Sequence, residues 1–174
     1  MLNTKTTGLI QKAIYGLMVL MISTLYCSVA AQIDGIGMTD QVSLVSIDGQ
    51  SEINISETKN VVVLHIWASW CGYCRREHEL WCRMNKKPGV DYYSVSFRES
   101  PEDAMTFLAE KGDPFDQHFT LDYENAKKIN ARTIPDTLVI YQNKIIFRHR
   151  GSMNEEKFDR FINKIDSIVD QLRS

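Results

Sequence analysis

An excess of charge of one sign is the first thing this chain lacks. Its 174 residues carry 20 Lys and Arg against 22 Asp and Glu, for a formal net charge of −2. No stretch concentrates the cations, so nucleic acid has no electrostatic footprint here. Acidic and basic tails are missing too, as are internal repeats, low-complexity stretches and any sign of a second domain. A structural zinc site usually needs two pairs of ligands, and the chain has neither a second CxxC nor an HxxxH. Cysteine itself is scarce: there are four, and Cys27 falls in an N-terminal segment of different character.

In that segment (residues 1–31), Lys5 and Lys12 are the only charged side chains before Asp34. An apolar run from Ala13 to about Tyr26 precedes Ser28, Val29, Ala30, Ala31 and Gln32. A basic flank, an apolar stretch of about 14 and small residues at −3 and −1 read as a secretory signal, cleaved after Ala30 or Ala31. The alternative is an uncleaved membrane anchor, because residues 13–31 just reach the roughly 17–25 that span a bilayer. Bulky Tyr26 fits poorly before a lipidated Cys27. Both readings place the folded part outside the cytoplasm, in a periplasm-like compartment where disulfides persist. Cys71, Cys74 and Cys82 remain, an odd number. Cys74 and Cys82, eight positions apart on one helix, would be separated by about 12 Å along its axis. A disulfide needs Cα atoms within about 7 Å, which leaves Cys71 and Cys74 as the pair.

A polar lead (32–41) precedes the expected domain (42–174). Residues 42–47 and 52–55 flank Asp48-Gly49, a hairpin signal. Residues 61–67 are apolar except for His65, as in a strand buried on both faces. A helix is expected from Cys71 to about Lys87, stopped by Pro88-Gly89. A strand follows at 90–97, then a helix opened by Ser100-Pro101-Glu102-Asp103 and ending near Lys111-Gly112. A second helix at 123–130 leads to a hairpin of 137–141 and 145–150. Ser152 to Glu155 reads as a capping box opening a last amphipathic helix through Phe158, Phe161, Ile162, Ile165, Ile168, Val169 and Leu172. The order β-β-β-α-β-α-α-β-β-α predicts an α/β fold, with a mixed central sheet flanked by helices on both sides.

The chemistry concentrates where strand 61–67 turns into a helix. There the first turn presents N–H groups without intrahelical partners and the positive end of the macrodipole. Both favour a thiolate, so Cys71 is the expected nucleophile and Cys74, one turn on, the resolving thiol. Cys74, His78 and Cys82 share one helix face. That face either holds a soft metal or packs on the sheet with Cys82 as a small buried residue, and we expect packing and no metal. His65 is either a hydrogen-bonded core histidine or a neutral group that helps move the Cys74 proton. Glu77 either tunes a thiol pKa or partners the helix dipole. Pro135, just before a strand, would present backbone to a bound peptide if its bond to Ile134 were cis.

Residues 67–77 (WASWCGYCRRE) resemble the active-site segment of the exported TlpA/ResA/DsbE branch of the thioredoxin superfamily. Within it, four segments resemble the DsbE (CcmG) group: Arg75 to His78 its C-R-x-E-H continuation, and Gly112 to Phe115 its G-N-P-Y segment after an inserted helix. Ile134 to Thr137 resemble its cis-proline P-E-T motif with Asp136 replacing Glu, and Phe147 to Asn154 its Y-R-H-x-G-x-L-N strand end. Order and spacing agree over roughly residues 42–170. The resemblance implies a thioredoxin-like fold with an N-terminal β-hairpin extension and an inserted helix. It also implies a cofactor-free reductase in the periplasm, fed by a membrane thiol-reducing protein. The substrate it implies is the CxxCH cysteines of apocytochrome c or of a partner holding them. On that pattern Glu77 is the tuning acid, Pro135 the cis proline and Asp136 an acidic groove residue. Four features depart from it: Gly72-Tyr73 lacks the proline common between such cysteines, His65 replaces a buried Asp or Asn, Cys82 is an extra thiol, and a cleavable signal suits an anchored group poorly. A general exported disulfide reductase, an oxidase or isomerase, and a copper-handling protein are the other functions compatible with the residues.

Overall fold

The computed structural model describes residues 36–37 and 42–173, all within one unit, Asp34–Ser174. The expected export segment and most of the lead lie outside the described residues. The strands are β1 (Ile36–Gly37), β2 (Ser43–Ser46), β3 (Glu52–Asn54), β4 (Val61–Trp67), β5 (Val90–Ser96), β6 (Gln117–Thr120), β7 (Asp136–Tyr141) and β8 (Lys144–Arg150). The helices are α1 (Gly72–Arg83), α2 (Pro101–Lys111), α3 (Tyr123–Lys128) and α4 (Glu155–Arg173), with a 3-10 turn at Ile55–Glu57.

The eight strands form one sheet in the order β1-β8-β7-β4-β5-β6-β2-β3. Every residue of β4 is buried, and it pairs parallel to β5 and antiparallel to β7. Strand alternation then divides its side chains between two cores. Val61, Val63 and Trp67 meet Trp81 of α1, Phe107 of α2 and Phe158 and Phe161 of α4. Val62, Leu64 and Ile66 meet Leu44, Ile55 and Ala126 of α3. His65 follows the first set, facing α1. The chain steps β4 to β5 to β6 in one direction over α1 and α2, then reverses through α3 on the opposite face.

The expected mixed sheet, the first hairpin and the Ser100 cap, whose hydroxyl accepts from Asp103 N, are present. The second hairpin closes through Gln142 and Asn143, both at positive φ (46° and 61°), as a tight primed turn requires. Several expectations need correction. Two strands were not foreseen: β1, because two residues carry no period, and β6, because only Phe119 of its four residues is buried. Helix α1 stops at Arg83, four residues short of the expectation. Met84 turns extended, and Lys87 reaches across to Asp166 and Asp170 of α4 at 3.5 and 3.2 Å. Ser152 does not cap α4. Asn154 does, its Oδ1 accepting from Lys157 N at 3.1 Å, while the Ser152 hydroxyl turns toward the Tyr73 carbonyl.

Asp136, the first residue of β7, has no exposure at all. Its charge is met by Arg148 of β8, whose Nε donates to Oδ1 at 2.9 Å and whose second nitrogen pairs with Oδ2. The same guanidinium donates to the carbonyls of Ile129 at 2.7 Å and Asn130 at 2.9 Å. Arg148→Met is expected to cost about 3–5 kcal/mol in urea unfolding by stranding the carboxylate, and Asp136→Asn in the same chain to recover part of it. Equal stability of the two variants would show that the carboxylate was not the group being neutralised.

Candidate active site

The turn from β4 into α1 is built to be rigid. Cys71 N donates to Ala68 O at 3.1 Å, Ser69 N to the Glu99 carboxylate at 2.9 Å, and Arg75 to Ser69 O at 3.2 Å. Cys71 then takes the N-cap position of α1, where its Sγ accepts from Cys74 N at 3.3 Å. Cys71 and Cys74 are joined by a disulfide with Cα atoms 5.3 Å apart, as the spacing predicts. Cys71 retains 6% exposure against 2% for Cys74, so the first sulfur is the one a partner reaches. Trp70 and Tyr73 stand 60% and 61% exposed beside it, and Arg76 lies over the Tyr73 ring at 4.3 Å.

Beneath the disulfide lies a polar cluster in an apolar shell. Glu77 is buried, its Oε2 accepting from Met153 N at 2.8 Å and its Oε1 from Trp81 Nε1 at 3.4 Å. His65 Nδ1 and the Thr137 hydroxyl are 3.0 Å apart, and Nε2 faces Glu77 Oε1 at 3.6 Å. The imidazole packs against Trp81 and Phe115, with centroids 4.6 and 5.7 Å away. That distance to Glu77 does not make an ion pair. Burial, aided by His78, lowers the His65 pKa to about 3, so it is neutral wherever Glu77 ionises. Burial also raises the Glu77 pKa to about 7, against the hydrogen bonds from Met153, Trp81 and Ser152 that favour its anion. An acid of that strength, one helical turn beyond Cys74 on α1, can hold or yield a proton at neutral pH.

The Ile134–Pro135 bond is cis, and Pro135 O accepts from Gly151 N at 2.9 Å. Asp136 does not line an open groove: buried and bound by Arg148, it has no face for a peptide. Cys82 is exposed rather than buried, its Sγ near the Lys111 carbonyl at 3.6 Å, and partial desolvation of the thiol together with Asp113 and Glu79 raises its pKa. Cys74, His78 and Cys82 do not converge: Cys74 is in the disulfide and His78 Nε2 is 2.9 Å from Gly112 O. No group of three or more metal-binding side chains occurs among the described residues. Thr137, Trp81 and the Met153 amide belong to the site but were not foreseen. The pairing of Thr137 with His65 follows from the β4–β7 register, which one sequence does not display.

Residues 39–165 match the Redoxin family. The chain belongs to that family. Among curated proteins it is 28% identical over 119 residues to the thiol:disulfide interchange protein DsbE of Pasteurella multocida, covering 67% of this chain and 65% of that protein. It is 30% identical over 112 residues to the thiol:disulfide interchange protein HelX of Rhodobacter capsulatus, covering 63% and 61%. The match thus spans less than two thirds of these relatives' length. Among solved structures, a putative thiol:disulfide interchange protein DsbE from Chlorobium tepidum superposes with a TM-score of 0.62 at 23% identity, covering 76% of this chain and 95% of that one. The fold of this Redoxin member is thioredoxin-like, and no helix among its described residues is long and apolar enough to cross a membrane.

Because the folded protein holds the Glu77 proton that the unfolded chain has released, this group's stabilising contribution is lost as pH rises from 4.5 through about 7. Glu77→Gln keeps an acceptor for Met153 and does not titrate. Relative to the unaltered protein, its unfolding free energy is expected to gain on the order of 2 kcal/mol between about pH 5 and about pH 8. Parallel pH profiles for the two proteins would place Glu77 ionised throughout.

Proposed function

We propose that this protein is a thiol–disulfide oxidoreductase working through Cys71 and Cys74, in the direction of a reductase for exported proteins. The observation that carries the reading is the N-cap placement of Cys71, its sulfur at the Cys74 amide, on a locked turn at the end of β4, the strand that pairs with the one following the cis proline. In the reduced state the Cys71 thiolate attacks one sulfur of a substrate disulfide, forming a mixed disulfide and expelling the other as a thiolate. Cys74, deprotonated, attacks Cys71 Sγ and releases the second substrate thiol. The substrate gains two electrons and the protein returns to the disulfide seen here. Two sulfurs suffice and no cofactor is required; a thiol-reducing membrane protein is the electron donor the family resemblance implies. Glu77, with its raised pKa, is the proton acceptor for Cys74; His65 and Thr137 position it, and the cis Ile134–Pro135 bond presents backbone to the substrate.

The names of the DsbE and HelX relatives support interchange chemistry. The sequence resemblance to the cytochrome c maturation group extends it to the CxxCH cysteines of apocytochrome c, or a partner holding them. The site of action is the periplasm, with the N-terminal segment either removed or kept as a tether.

Cys74→Ser is expected to accumulate mixed disulfides through Cys71 in cells, resolved by diagonal gels and mass spectrometry; adducts through Cys82 would overturn the assigned roles. In a Cys82→Ser background, acid quenching and thiol alkylation should find Cys71 and Cys74 mostly reduced. A mostly oxidised pair would replace the reductase direction with an oxidase.

A further inference from the structure

The sheet edge that carries the disulfide also carries a cavity of about 490 Å³ that the exchange reaction does not use, within the size range of ligand pockets. Its position follows from topology. β5 and β6 are adjacent and parallel, but the chain leaves β5 toward α2 on one face and leaves β6 toward α3 on the other. Outgoing connections that diverge open a crevice at the carboxyl ends of the strands, the place where open α/β sheets bind ligands. Phe97 and Arg98 follow β5, and Leu121 to Tyr123 follow β6; α3 and residues 130–132 complete the wall.

The chemistry of that wall is uneven for a chain of net charge −2. Arg98, Lys127 and Arg132 all line it, all are exposed, and none has a salt bridge among the described residues. The single carboxylate in the lining, Asp122, is occupied as the cap of α3, accepting from Asn125 N at 2.7 Å and from Asn125 Nδ2 at 3.0 Å. Phe97 and Tyr123 add aromatic surface, the Tyr123 ring 70% exposed. The wall is also held in shape. Arg98 and Asn130 adopt left-handed φ of 54° and 53°, and Arg148 binds the Asn130 carbonyl at 2.9 Å while its other contacts fix Asp136.

Two links join this cavity to the redox site. Phe97 N donates to Trp67 O at 2.9 Å, at the start of the active-site turn, and Arg132 lies three residues before the cis proline. Strand spacing sets the cavity about 7 Å along the edge from the end of β4. We infer that this cavity is a subsite for an acidic, partly aromatic segment of the protein substrate, bound while a neighbouring cysteine of that substrate reacts at Cys71. The inference rests on the oxidoreductase reading for its substrate, but its test does not need turnover.

The test uses the full chain in its disulfide form and two fluorescent peptides of equal length with Ser in place of cysteine. One carries Asp and Glu around a Tyr, the other Asn and Gln. Fluorescence anisotropy is expected to show roughly tenfold tighter binding of the acidic peptide at low salt, a preference that shrinks toward unity at about 0.5 M salt. Lys127→Glu with Arg132→Glu, both exposed positions, should abolish or invert the preference, and circular dichroism checks that the variant is folded. Equal binding of the two peptides, or a preference that survives the double charge reversal, overturns the inference. So does inorganic phosphate shifting the amide resonances of this wall while neither peptide binds, since that describes a small-anion site. Because the peptides lack cysteine, a failed trapping experiment with Cys74→Ser would leave this result standing, and the two failures are distinguishable.

Discussion

One buried charge fixes the edge of this molecule where chemistry occurs. Asp136 has no contact with water, and a carboxylate there persists only with a partner that satisfies it fully. Arg148 supplies that partner and, with its remaining donors, closes the carbonyls that α3 leaves open at Ile129 and Asn130. A planar five-donor group can serve two strands and a helix end at once in a way an ammonium cannot. The strand after the cis proline, the return of α3 and β8 therefore share a single anchor. Asn130, one of the residues it holds, also lines the cationic crevice.

The interior of the site is arranged around neutrality rather than charge. His65 and Glu77 are close enough to suggest an ion pair, yet burial disfavours the charged form of each and moves their titrations apart. A core with an imidazole, an acid and an indole survives because each polar atom has a named neighbour: Thr137, the Met153 amide, Trp81. Glu77 thereby has two jobs. It ties α1 to the segment before α4, and its pKa of about 7 lets it change protonation near neutral pH.

What could be read in the residues was what has a period or a fixed chemical geometry. β4 declared itself by an apolar run broken only at His65, α4 by its amphipathic face, the Cys71–Cys74 pair by distance, and the cis proline by resemblance. The misses have physical causes. β6 buries one side chain and is a strand only because β5 and β2 flank it. Asn154 won the cap of α4 from Ser152 because the latter's hydroxyl points back to the Tyr73 carbonyl. Asp136 was expected in a groove because the resemblance places an acid after the cis proline, but its side chain is buried against Arg148 on the neighbouring strand β8. The crevice is less legible still, since its cations lie at 98, 127 and 132, and only the divergence of two loops brings them together.

Helix α1 carries a third sulfur well away from the pair. Cys82 lies eight residues beyond Cys74, about 12 Å along the axis, out of reach of either redox sulfur without unwinding the helix. Its thiol is held above its ordinary pKa while remaining exposed. Such a group is slow in exchange on the time of a catalytic turnover but has hours in a concentrated, aerated solution. A covalent dimer bridged through Cys82 in stored protein would therefore be a record of handling, and not a sample of the reaction at Cys71.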